Sequence, residues 1–205
     1  MTASVLERAL LGPAAPPTDE LSQRILDAAL VEVSEFGIRR ASMESVTRRS
    51  GTSRMTVYRR YPGKEALLGA VFQREVQRFL EEVTAAMPKE GTLAERVATV
   101  FATGMRKTVE HPLYSRLLQT DPEAVLPFVT VNGGPLLDFA TAYVRDAIAS
   151  DEEAEGVSEN RIGVAAEAIT RLGHSIALTK TPLDCPSRDD LRTLALAVVD
   201  PLLGG

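Results

Sequence analysis

The chain has no tryptophan, one cysteine (Cys185), two histidines (His111 and His174) and only 5% aromatic residues among its 205. Each scarcity excludes something. A lone cysteine rules out an intramolecular disulfide framework and suits a reducing cytosol. It sits in a polar, proline-bounded loop with no basic residue closer than Lys180 and Arg188, so nothing nearby activates its thiolate. Neither histidine has a His, Cys or Asp companion at ligand spacing, and no metal site is expected. No apolar run approaches the ~20 residues of a membrane span, and no stretch alternates long enough to read as a strand. Phosphate loops, nucleotide-binding glycine patterns and G-x-S-x-G are missing, and Gly133-Gly134 runs into Pro135, which suits a bend. The acidic run of Asp151, Glu152, Glu153 and Glu155 lacks the alternation of a calcium loop and reads as solvated. An enzyme is therefore not expected, nor any cofactor.

What the chain does have is a segregated charge. Between Arg39 and Lys64 lie eight basic residues (Arg39, Arg40, Arg48, Arg49, Arg54, Arg59, Arg60, Lys64) and one acid, Glu44, a net of +7 in a chain whose net is −5. Everything else sums to −12. A compact basic window on an acidic protein is the footprint of a nucleic-acid face, and the acidity elsewhere argues against a protein that coats DNA. The same window carries local structure. Ser42 caps a short helix around Val46, Gly51 stops it in the left-handed conformation, and Ser53 caps a second helix. In that helix Val57 points inward, while Arg54, Met55, Thr56, Tyr58, Arg59 and Arg60 cover most of the remaining circumference. Two short helices joined by a glycine-containing turn form a helix-turn-helix, whose second helix fits the DNA major groove.

These residues resemble the DNA-binding domain of the TetR family of transcriptional regulators. The resemblance runs over about residues 21–68, through ILDAAL, FGIRRASMESV and SGTSRMTVYRRYPGKEALL, in family order. Thr47 and Thr52 stand where Ala and Val are more usual, Glu32 replaces a common apolar residue, and Gly63 replaces a Ser or Asn cap. The resemblance implies that Arg54, Met55 and Thr56 meet base edges, and that Tyr58, Arg60, Lys64 and Ser42 anchor phosphates. It further implies a ligand-responsive regulator, a repressor released from its operator by a small effector.

The rest of the chain reads as helices. Pro13, Pro16 and Pro17 separate a flexible arm (1–17) from a first helix that starts at Thr18, carries Ile25, Ala28, Ala29, Val33 and Phe36 on one face and ends at Gly37. The arm is not expected to be a signal peptide, because Glu7 and Arg8 interrupt it. A long helix over 65–87 follows, then helices over 93–110, 113–120, 123–149, 161–179 and 189–203, with the Gly133-Gly134-Pro135 break splitting or kinking the fourth of these. The expectation is an all-α protein of three parts: the arm, an N-terminal three-helix helix-turn-helix domain (18–64) and a larger helical domain for effector binding and dimerisation (65–205). A single reading helix covers too few base pairs, so a homodimer on a palindromic operator of double-stranded DNA is expected. Its interface is read from Ala166, Ile169, Gly173, Leu194, Val198 and Leu202 in the last two helices. The effector pocket is read from Phe101, Met105, Tyr114, Leu117, Leu118, Phe128, Phe139, Tyr143 and His174, which concentrate bulky apolar groups in the second domain. A cytoplasmic location is expected.

Overall fold

The computed structural model of the protein describes residues 19–179 and 187–204, with side chains at all of these except 112, 114, 115, 124 and 128. The arm, the expected cap at Thr18 and Cys185 lie outside the described residues. Among the described residues the chain is all-helical, apart from turns and a single 3-10 turn at Glu152–Ala154.

Helix α1, Glu20–Arg40, is capped by Asp19, whose carboxylate accepts from the Ser22 amide at 3.1 Å and the Ser22 hydroxyl at 2.7 Å. Its regular path is broken at Gly37, with φ 80° and ψ 171°, a conformation almost confined to glycine. Helix α2, Met43–Ser50, starts at the Ser42 cap and stops at Gly51 in the left-handed conformation. Helix α3, Arg54–Arg60, begins at Ser53, whose hydroxyl accepts from the Thr56 amide at 3.2 Å. The caps at Ser42 and Ser53 and the stop at Gly51 are the ones expected, whereas α1 is capped by Asp19 and not by Thr18, because the Asp19 carboxylate is the group that reaches the Ser22 amide. The three helices close on Ile25, Leu26, Ala29, Met43, Val46, Val57 and Tyr61, but the cluster also takes in Leu67 and Val71 of α4, Lys64–Ala85.

Contacts divide the chain into two compact units. The first comprises the residues up to Arg78 together with His111–Leu136, the second Phe79–Glu110 with Leu137–Gly205. This differs from the boundary expected between 64 and 65. Ending the first domain there would remove Leu67 and Val71 from its core, and both are almost fully buried. Helices α6, Pro112–Thr120, and α7, Pro122–Val129, also belong to the first unit. Their Leu113, Leu117 and Val125 pack with Val33, Ile38 and Ala41 of the α1 end and Leu68 and Phe72 of α4.

A buried carboxylate holds that packing. Asp121, 1% exposed, accepts the Ile38 amide at 3.0 Å and lies 3.2 Å from the Arg39 guanidinium. It approaches Gly37 so closely that a Cβ there would sit 2.4 Å from its Oδ2. Glu32, the departure from an apolar residue noted in the sequence, is 3% exposed and accepts the Ser45 hydroxyl at 2.7 Å, tying α1 to α2.

In the second unit α5, Leu93–Glu110, lays a stripe of Ala94, Ala98 and Ala102 against α10, Arg188–Leu203, which meets it with Leu191, Ala195 and Val199. Small residues on both faces let the backbones approach closely. Helix α8, Gly134–Ala149, adds Ile148, and α9, Glu159–Leu178, adds Ile162, Ala165 and Ile169. The break between α7 and α8 falls where Gly133-Gly134-Pro135 places it. Asp151, expected in a solvated run, instead makes a close ion pair with Arg96, whose residue is 8% exposed.

Candidate nucleic-acid interface

The reading surface is built by capping and core closure. Val57, fully buried, pins α3 to the small core, and burial of one valine contributes roughly 1.5–3 kcal/mol. With Val57 inward, Arg54, Met55, Tyr58 and Arg59 are turned out. Met55 is 79% exposed on the outward face of α3. The Arg54 guanidinium carbon lies 5.3 Å from the centroid of the Tyr58 ring. Thr56 is half-buried, and its hydroxyl shares a hydrogen bond with that of Ser53 at 2.9 Å. From α1, Arg24 donates to the Ser50 carbonyl at 2.8 Å and so closes the C-terminus of α2. Sequence reading missed this residue, since its partner is 26 positions away.

The expected phosphate anchors divide into two groups. Ser42 is exposed but its hydroxyl already accepts the Ser45 amide at 3.1 Å. Arg60 turns inward to Asp19 at 2.6 Å and donates closely to the Ser22 hydroxyl. That pairing, with the Ser22 hydroxyl as the larger influence, lowers the Asp19 carboxyl from 3.8 to about 2. Lys64 donates to the Arg39 carbonyl at 2.9 Å, and burial pushes its ammonium down while Asp121 opposes the shift. Two further members of the basic window are committed within the chain. Arg49 pairs with Glu35 at 2.6 Å, and Arg39 pairs with Asp121 and with Glu123 at 2.7 Å. Among the described residues this leaves Arg40, Arg48, Arg54 and Arg59 exposed and without a carboxylate partner. Half of the cations counted in the sequence are thus left without a carboxylate: Arg40 at the end of α1, Arg48 on α2, and Arg54 and Arg59 on α3.

The expected effector residues fall into both units. Leu117 and Leu118 pack in the first unit against the α1 end. Phe101 and Met105 belong to the second, where a Cβ added to Gly173 would meet each at 3.2 Å. Phe139 and His174 are half-buried there, and the Tyr143 hydroxyl donates to the Leu80 carbonyl at 3.2 Å and makes a closer contact with Thr84. The side chains of Tyr114 and Phe128 are outside those described.

The residues of the expected interface on α9 and α10 differ in exposure. Ala166 and Ile169 are buried inside their own subunit, and Gly173 faces Phe101 and Met105. Val198 and Leu202 pack partly against the same core. The reason is that α9 and α10 both need one face for α5, and the most apolar stripe takes it. Val164 on α9, 46% exposed, and Leu194 on α10, 44% exposed, turn outward, with Gly163 and Ala168 half-buried beside Val164. On that side Arg145 and Asp146 of α8 and Glu159 and Glu167 of α9 rim an open groove. Arg171 and Thr141 hydrogen-bond Glu167 and hold its carboxyl below the ordinary range.

Residues 25–71 match the family model described as bacterial regulatory proteins, tetR family. An uncharacterized HTH-type transcriptional regulator of Mycobacterium bovis is 31% identical over 77 residues, which are 38% of this chain and 41% of that protein. The chain thus spans less than half the length of that curated relative. Among solved structures, the TetR family repressor AlkX of Dietzia superposes with a TM-score of 0.60 at 19% identity, covering 91% of this chain and 95% of that one. The regulator FadR of Bacillus subtilis, crystallised with stearoyl-CoA, superposes with a TM-score of 0.53 at 20% identity, covering 89% and 98%. At these identities the likeness is one of fold.

Proposed function

We propose that this chain, a DNA-binding transcriptional regulator of the TetR family, acts as a repressor that binds a palindromic operator as a homodimer and leaves it when a small, largely apolar effector binds. The observation that carries the reading is the exposure of Arg54, Met55 and Tyr58 on a capped, core-anchored α3. Arg54 presents a bidentate fork suited to guanine, Met55 offers apolar contact to a thymine methyl, and the cations at Arg40, Arg48 and Arg59 serve phosphates. Ser42, Thr56, Arg60 and Lys64 support that surface through their internal bonds. One such helix touches too few base pairs to specify a site, so two copies are required. In this reading they meet through the outward faces of α9 and α10 at Val164, Ala168 and Leu194.

The second unit is the proposed effector domain. Phe101, Met105 and Phe139 supply apolar surface there, with Tyr143 and His174 as polar groups that orient a ligand. A protein of the same fold was crystallised with stearoyl-CoA, which supports acyl compounds as the first class to test. Helix α4 has residues in both units, and it offers a covalent path by which a change in the second can tilt the reader.

Selection of bound fragments from the source genome, followed by footprinting, tests the DNA half of the reading. Three phosphate-facing cations per subunit, Arg40, Arg48 and Arg59, give about six neutralised phosphates per dimer, so log affinity should fall against log salt with a slope of about −5. A slope near zero, or protection spread evenly along every fragment, would refute a specific regulator. For the effector half, fatty acids and acyl-CoA of graded length are screened by melting temperature and then titrated with and without operator. A coupling of about 1–3 kcal/mol corresponds to roughly 5- to 150-fold in operator affinity, and linkage requires the same factor for the ligand. Ligands whose affinity is indifferent to operator would overturn the regulatory role of that domain.

A further inference from the structure

Arg54 and Tyr58 are one helical turn apart on the exposed side of α3, and the guanidinium carbon lies 5.3 Å from the ring centroid. Residues at i and i+4 share a helix face, and a cation within about 6 Å of an aromatic centroid is attracted by the ring quadrupole. The ring has a rigid base. Tyr58 follows the fully buried Val57, in a helix capped at Ser53 and closed by the Tyr61 amide donating to the Val57 carbonyl at 2.9 Å. An arginine on an exposed helix otherwise samples many rotamers, whereas its flat guanidinium can lie on a ring and keep its edge N–H groups available. Stacking uses the face of the group and base recognition uses the edge, so the two are compatible.

From this geometry we infer that Tyr58 is a positioning residue for base reading. Its ring orients the Arg54 guanidinium before DNA arrives, and the preference for the base that Arg54 meets is set jointly by both residues. This differs from the phosphate-anchoring role that resemblance implies for Tyr58. A phosphate anchor strengthens every sequence alike, whereas a platform for Arg54 acts at one base pair. The inference rests on α3 being the DNA reader with Arg54 at a base edge.

The test uses the full-length protein and a duplex selected by it from a randomised pool, together with each single base substitution in one half-site. Affinities are measured by fluorescence anisotropy for the wild type, Arg54→Ala, Tyr58→Phe, Tyr58→Leu, Tyr58→Gln and the Arg54→Ala/Tyr58→Leu double variant, after their melting temperatures are matched. Arg54→Ala should abolish the preference at one base pair. Tyr58→Phe, which keeps the ring, should retain that preference even if it weakens all duplexes equally. Tyr58→Leu should reduce it about two- to fivefold at that base pair and at no other, and should add nothing to Arg54→Ala there. Tyr58→Gln, also without a ring, should repeat the result and stands in if Tyr58→Leu is unstable. A uniform loss across all duplexes in the ringless variants, or a loss of preference in Tyr58→Phe as large as in Tyr58→Leu, overturns the platform. If Arg54→Ala leaves every preference intact, the base-reading role fails and the platform fails with it, a result distinct from failure of the platform alone.

Discussion

Replacing Gly37 by alanine should destabilise the first unit by several kcal/mol, through a contact made 84 residues further on. Two costs are separable. At φ 80° and ψ 171° an L-residue is strained by about 1–3 kcal/mol. The new Cβ would also lie 2.4 Å from Asp121 Oδ2 and 2.6 Å from Thr120 Oγ1, so the carboxylate must retreat. Retreat breaks its 3.0 Å bond to the Ile38 amide, a buried donor whose loss of partner costs about 1–3 kcal/mol. Together the change should cost about 2–6 kcal/mol. Urea denaturation provides the total, and hydrogen exchange of the Ile38 amide provides a local readout. Asp121→Ala removes the same bond, so in the Gly37→Ala/Asp121→Ala double variant its loss is counted once. The double variant should therefore be more stable than the sum of the singles implies, by about 1–3 kcal/mol. Full additivity, or a Gly37→Ala protein within about 0.5 kcal/mol of wild type with Ile38 still protected, would refute the reasoning.

Removing Asp151 should leave the buried Arg96 guanidinium without its carboxylate, at a cost of about 3–5 kcal/mol seen in the melting of the protein; a cost under 1 kcal/mol would return Asp151 to a solvated loop. Val164→Glu should give a folded monomer in sedimentation equilibrium, since the position is outward, whereas Ala166→Arg should unfold the second unit; a full dimer with Val164→Glu would move the interface elsewhere. Asp19 has its carboxyl lowered from 3.8 to about 2, so its contribution to stability is complete above pH 3.8 and disappears as pH falls through 2. Carbon-detected NMR titration should find the Asp19 midpoint near 2, and Arg60→Ala should raise it; a midpoint near 3.8 in the wild type would mean the Arg60 pairing is not formed in solution.

The fold class and the pair of capped helices α2 and α3 were legible in the sequence because they depend on short-range chemistry. Ser42, Gly51 and Ser53 act on amides three residues away or on their own backbone, and the inward Val57 and outward Arg54 follow from a period of 3.6 residues. The punctuation at Gly37 and at Gly133-Gly134-Pro135 is local in the same sense. What only the tertiary structure decided are the pairings between distant residues and the choice between two faces of one helix. A count of charge cannot tell that Arg39, Arg49, Arg60 and Lys64 meet carboxylates or a carbonyl within the chain while, among the described residues, Arg40, Arg48, Arg54 and Arg59 have no carboxylate partner. An apolar stripe with Ala166 and Ile169 suits a core as well as an interface, and only the folded chain shows both buried while Val164 and Leu194 stay outward. Asp121 reads as a turn residue ahead of a proline. Only folding brings its carboxylate to the one place in α1 where a glycine leaves room and an amide needs an acceptor.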